Sequence, residues 1–338
     1  MITFKTKIKT LCTALAMAGV LYSCTDIENI DIQTPYEYSD EYYENLRAYK
    51  ASDHQVAFMW FADYSSSHSL GVRFMGLPDS LDICSLWGGI PSNVPNKPNT
   101  FYNPTAYEEM KFVQEVKGTK MVYVTFPGIG NENWRWLEKY FPTETAEDSA
   151  RVIQAFGDSL LNIVYGNGID GVDLDYEIDG DWMDGENLGK LVQYLGKYIG
   201  PKGIDKSKLL IVDGGKTFDG MDCLSYFACQ SYASPSADYL QNVKFNGFVG
   251  KLPPNKFIIT ENIGDYYATG GVPFTEADGN QYTETGERLY SLQGMARWNP
   301  IQGKKGGFGG FFGQRDYNSN PPYYHFRKGI QYQNPAGK

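Results

Sequence analysis

At 338 residues, 42% of them hydrophobic, the chain can bury a large core, as one α/β barrel or as two ordinary domains. A formal net charge of −10, with no Lys/Arg cluster beyond the extreme N-terminus, excludes a nucleic-acid binder, which needs basic patches to neutralise phosphates. The 26 Tyr and 6 Trp suit stacking against flat ligands such as sugar rings, although core packing claims most of them.

The first segment, "MITFKTKIKTLCTALAMAGVLYSC", has three lysines, a short apolar run from Leu11 to Leu21 and then Cys24. It is too short and wrongly flanked to span a membrane and reads as an export signal over residues 1–23. "LYSC" resembles a bacterial lipoprotein box, which implies lipidation of Cys24 and an outer-membrane location; ordinary signal-peptidase cleavage nearby is the alternative. Residues 24–48 are polar and acidic, as expected of a tether, and resemble the stretch that routes lipoproteins to the surface of Bacteroides-like cells. One domain is expected over 49–338. Of the remaining cysteines, Cys84, Cys223 and Cys229 have no metal-ligand spacing and read as small core residues, with a Cys223–Cys229 bridge open in an oxidising compartment.

Eight apolar runs follow, each stopped by Gly, Pro or polar residues, at 55–64, 80–89, 120–128, 168–177, 208–215, 224–232, 256–264 and 306–317. Rich in β-branched and aromatic side chains, they read as buried strands. Between them, 104–117, 145–166 and 185–200 carry apolar residues at helical spacing, with Thr145 and Asp148 placed as an N-cap and its partner. Eight strands alternating with helices fit a (β/α)8 TIM barrel, whereas an open doubly wound sheet has no use for the eighth strand.

On the fourth run, "DGVDLDYEIDGD" sets Asp173, Asp175, Glu177, Asp179 and Asp181 on alternate positions. One reading is a calcium loop, with Asp175, Glu177, Asp179, Gly180 and Glu186 at the required places. Gly166, Gly168 and Gly171 interrupt any helix entering that loop, and Ile169, Val172 and Leu174 read as strand instead. On a strand, Asp173, Asp175 and Glu177 share the face opposite Val172, Leu174 and Tyr176. Inside a barrel those acids point inward, Glu177 at the C-terminal mouth, about 7 Å apart at Cα. Crowded in a low-dielectric interior they cannot all ionise, so at least one keeps a proton, as a general acid must.

This run resembles the DGxDxDxE signature of glycoside hydrolase family 18, the chitinases and endo-β-N-acetylglucosaminidases. The resemblance implies Glu177 as the acid that protonates the glycosidic oxygen, with the substrate's own 2-acetamido carbonyl as nucleophile. It also implies that Asp175 orients that group and that Asp173, deeper, shares a proton with Asp175. On the sixth run Gln230 and Tyr232 are two apart; the resemblance implies Tyr232 as the donor to the acetamido oxygen, with a Gln nearby in endo-acting members. The implied partner is an N-acetylglucosamine-containing glycan or glycoprotein, with no cofactor and no metal, and a monomer is expected.

Two features depart from chitinases. The small SxGG-like run on strand three reads "VTFPGIG", and strand eight lacks a Trp, leaving Phe312, Gln314 or Tyr317 as substitutes and Trp298 upstream. Trp60, Tyr64, Trp87, Phe126 and Trp182 fall at or just after strand ends, and of these Trp60, Trp87 and Phe126, with Phe312, are taken as substrate-binding. The departures favour an endo-β-N-acetylglucosaminidase acting on the chitobiose core of N-glycans over a chitinase or a non-catalytic glycan-binding lipoprotein. His54, His68 and His325 have neither triad nor metal spacing.

Overall fold

The computed structural model describes residues 38–64 and 69–335. The export signal and Cys24 therefore lie outside the described residues. Eight parallel strands close a barrel: β1 (Val56–Phe61), β2 (Ile83–Leu86), β3 (Lys120–Thr125), β4 (Gly171–Tyr176), β5 (Leu209–Gly214), β6 (Tyr226–Gln230), β7 (Phe257–Asn262) and β8 (Gly307–Phe311), with β8 pairing back onto β1. All eight coincide with the apolar runs, each shorter than its run.

Alternation along the strands sorts the core into two layers. Val56, Phe58 and Trp60 of β1 point inward with Ile83, Val122, Ile211, Ala228 and Ile258. Ala57, Met59 and Phe61 face outward, in the same layer as Val172, Leu174 and Tyr176 and the buried residues of the helices. At β8 a Cβ on Gly309 would stand 2.5 Å from the carbonyl oxygen of Phe58, so glycine lets this strand approach the β1 backbone closely.

Regular helices follow only some strands. α2 (Pro104–Glu115) follows β2, α3 (Ala146–Asn167) follows β3 and α4 (Glu186–Leu195) follows β4. The Thr145 hydroxyl and the Asp148 carboxylate cap α3 reciprocally, as their spacing indicated. α4 ends at Leu195, short of Gly200, because Ile199 leaves the helix to bridge Asp205. Two of the helices without a counterpart in the sequence reading lie late in the chain. In α5 (Ser291–Arg297) every residue but Arg297 is buried, which erases the polar face that betrays a helix, and α6 (Tyr324–Gln333) closes the described chain.

The acidic segment needs correction at its end. Residues 40–48 belong to helix α1 (Asp40–Ala51), in which Leu46 is buried and Arg47 donates to the Val116 carbonyl at 2.7 Å. Cys84, Cys223 and Cys229 are all buried and free, so the Cys223–Cys229 bridge is not formed. Burial pushes the Cys229 thiol up to about 11.

One glycine of the motif serves the sheet. Gly171 has φ +157°, and a Cβ there would lie 2.1 Å from the carbonyl oxygen of Leu209, its partner on β5. Backbone cannot rotate away as a side chain can. Gly171→Ala is expected to destabilise the fold by about 3 kcal/mol or more, read as a lowered urea midpoint; an unchanged midpoint would overturn this account of the residue.

Candidate active site

The five alternating acids of the β4 segment divide their tasks by depth. Below them Asp170 ties β3 to β4 at the closed end of the barrel, accepting from the Met121 N–H (2.9 Å) and from Gln114 (2.7 Å). Asp173 is fully buried, and its Oδ2 accepts from both Trp60 Nε1 (3.0 Å) and Ser85 Oγ (2.7 Å). Asp175, one pleat higher, is 2% exposed. Glu177 stands just past the strand and is exposed. Asp179 pairs with Lys216 on the surface. Asp181 accepts from the N–H groups of Ile129 (3.0 Å) and Gly130 (2.9 Å), clamping the loop after β3 to the loop after β4.

A further carboxyl, unforeseen from the sequence, completes the cluster. Asp213 on β5 is the ladder partner of Asp175 and is fully buried. Gln230 Nε2, from β6, donates to Asp213 Oδ1 (2.8 Å) and to Asp175 Oδ1 (3.3 Å). The three aspartates thus feel chiefly one another, Glu177 and the neutral donors Ser85, Trp60 and Gln230. Burial raises all three, Asp173 to about 6 and Asp175, further raised by the charge of Glu177, to about 7; Asp213 goes well above the usual carboxylate range. The crowding inferred from sequence is real, but its members are Asp173, Asp175 and Asp213, with Glu177 in solvent above them.

Tyr232 sits in the turn after β6, not on the strand, and is half-buried. Burial and then the charges of Asp213, Asp175 and Glu177 raise its hydroxyl, which keeps its proton and stays a donor. The next residue, Ala233 (φ 56°), gives its N–H to the buried carboxylate of Glu261 on β7 (2.8 Å), which fixes the turn.

Aromatic rings collar this end. Trp87 meets Phe126 edge-on at 5.9 Å and Phe311 at 5.1 Å, and Phe311 stacks on Tyr232 at 6.2 Å. Phe311 was missed in the sequence because one residue decides which of "FF" turns inward: Phe311 packs on the inner cluster, while Phe312, with left-handed backbone (φ 49°), sets its ring edge-on against it. Trp60, expected to contact substrate, is a correction. It is 1% exposed and its indole N–H is committed to Asp173, so it forms the floor and offers no stacking face. Gln314 is buried against Ala62 and Asp63, Tyr317 packs on Tyr323, and Trp298 lies against Phe245 away from the collar. Tyr64 is buried, its hydroxyl bonded to the Gly89 carbonyl, and Trp182 leans on Phe141.

The calcium loop is not formed. Residues 171–176 are strand, Asp175 lies inside the barrel and Glu186 pairs with Lys190 at the start of α4. Among the described residues no group of three His, Cys, Asp or Glu is placed to hold a metal.

Comparison with known proteins bears on this geometry. The family described as "Glycoside hydrolase family 18, BT1044-like" matches residues 23–332. Endo-beta-N-acetylglucosaminidase F2 of Elizabethkingia meningoseptica is 25% identical over 290 residues, covering 80% of this chain and 77% of that protein. Among solved structures, a selenomethionine variant of BT1044 superposes with a TM-score of 0.69 at 20% identity, covering 88% of this chain and 93% of that one. The endo-beta-N-acetylglucosaminidase of Cordyceps militaris superposes at 0.61 and 20% identity, covering 89% and 98%. A mutant of the latter was solved with fucosyl-N-acetylglucosamine-Asn, with a TM-score of 0.61 at 19% identity over 89% of this chain and 98% of that one.

Proposed function

This chain belongs to glycoside hydrolase family 18, BT1044-like, and we propose that it is a retaining endo-β-N-acetylglucosaminidase cleaving the GlcNAc-β1,4-GlcNAc core of N-glycans. The single observation that carries the reading is an exposed carboxyl, Glu177, at the barrel mouth directly above buried acids that cannot all ionise. Glu177 protonates the departing glycosidic oxygen. Asp175, held by Gln230, orients the 2-acetamido group, whose carbonyl oxygen attacks the anomeric carbon, and its charge stabilises the cationic ring that forms. Asp173, supported by Trp60 and Ser85, anchors Asp175 from below. Tyr232, a retained O–H, donates to the acetamido oxygen before it attacks and fixes its aim at the anomeric carbon. Water then attacks the anomeric carbon from the face the leaving sugar vacated, opposite the acetamido oxygen, and gives its proton to the Glu177 carboxylate, which preserves the anomeric configuration.

Substrate preference is set by the rings at the mouth. Trp87, Phe126 and Phe311 offer half-buried rings for stacking a sugar at the mouth. The likeness to the Elizabethkingia enzyme and the ligand of the Cordyceps protein both favour the core of an N-glycan over chitin. On the same reading Cys24 carries a lipid and the enzyme works at the outer membrane.

Incubation with high-mannose and complex N-glycoproteins, beside chitin oligosaccharides, tests the proposal. Glycans should be released with one GlcNAc left on the protein. Cleavage of chitin oligomers alone would instead make it a chitinase, and binding without cleavage would make it a glycan-binding protein.

A further inference from the structure

We propose that Asp213 is a positioning residue of this site, a neutral carboxylic acid whose O–H is donated to Asp173 so that Asp175 can present its charge to the sugar. The inference rests on the reading of the site given above.

Asp213 faces Asp175 directly across the β4–β5 ladder, and both side chains point into the barrel. Its carboxyl is crowded by those of Asp173 and Asp175, whose charges both raise it. Two carboxylates are acceptors only, so a hydrogen bond between any two of them requires a proton on one side. The oxygen atoms indicate which side holds it. Asp173 Oδ2 already receives two donors, Trp60 and Ser85, and so is the better seat for negative charge. Asp213 receives one, from Gln230 on Oδ1, which marks that oxygen as the carbonyl of an acid.

Two atoms are left over. Asp173 Oδ1 and Asp213 Oδ2 are buried and receive no donor from any N–H or hydroxyl among the described residues. Orphaned buried acceptors are costly, because no donor offsets their desolvation. A proton on Asp213 Oδ2 given to Asp173 removes both deficits at once. The groups facing Asp213 agree with this: Asp173 and Asp175 on β4, Gln230 on β6, and Tyr232 and Glu177 nearer the mouth are either acidic or neutral. Burial and the two neighbouring aspartates both push its carboxyl upward. An ionised Asp213 would face two further anions with no cation beside it among the described residues, and Asp175 would then be the one forced to take the proton.

The test compares Asp213→Asn, which keeps a neutral donor of similar shape, with Asp213→Leu, which removes it. Infrared difference spectra of the full chain at about pH 8 should show a protonated carboxyl C=O band. That band should be absent from Asp213→Asn and present in Glu177→Gln. In glycan release, the Asn variant should fall by no more than about tenfold and the Leu variant by about a hundredfold or more. Absence of a band removable by Asp213→Asn, or an Asn variant as impaired as Leu, would overturn the inference. If the parent protein released no glycan at all, the functional reading would fail and the infrared result would still locate the proton. If Asp213→Leu did not fold, the spectra and the activity of the Asn variant would decide whether the inference stands.

Discussion

Glu177→Gln is expected to lower glycan release by about 10³–10⁴-fold while leaving glycan binding and melting temperature near those of the parent protein. The amide matches the carboxyl in shape but has no acid proton, so the leaving sugar departs unprotonated. The fold should not notice. Glu177 is exposed and makes no side-chain hydrogen bond or ion pair among the described residues, and changes at such positions stay within about 0.5 kcal/mol. Initial rates on an N-glycoprotein, titration with the released glycan and a thermal melt together separate the two effects. A variant within tenfold of the parent would remove Glu177 from the role of acid and leave the buried aspartates without a catalytic partner at the surface.

The barrel and its fourth strand were legible because both are written in local patterns. Fully buried parallel strands read as continuous apolar runs, and three acids on one face of such a run stand out against it. What stayed hidden was set by register and by single-residue choices of face. Asp213 ends "LLIVDGG" looking like a strand terminator; only the pairing of β5 with β4 brings it opposite Asp175. Ser85 is one hydroxyl in an apolar strand until the barrel closes and turns it towards Asp173. Trp60 lies where a sugar platform was expected, but the inward position on β1 sits one layer too deep. Phe311 and Phe312 differ only in which one the end of β8 turns inward. Residues 40–48 look like a tether by charge, but lie in a helix whose Arg47 and Lys50 find partners that are distant in sequence.

The buried acids set a second large expectation. Asp175→Asn should melt higher than the parent protein near pH 8, and no higher near pH 4, while losing about 10²–10³-fold in turnover. In the folded protein Asp175 holds its proton up to about 7, whereas its ordinary value is 3.8. Between those values the native state binds a proton that the unfolded chain has released, so stability falls as pH rises through this window. The full displacement corresponds to about 4 kcal/mol. An Asn never ionises, and its oxygen can still accept from Gln230, so it avoids that cost. The amide NH2 that replaces one carboxyl oxygen lacks a matched partner in the cluster and takes back part of this, which should leave a net gain of about 2 kcal/mol, or about 3 °C for a chain of this size. Calorimetry at the two pH values reads the effect, and an equal gain at both would assign it to packing and not to charge. The direction matters for the chemistry, because an acid kept where it weakens the fold at working pH is one whose charge is needed elsewhere. On the proposed reading Asp175 meets that description: ionisation in the empty barrel costs stability, and a cationic sugar ring above it would offset that cost.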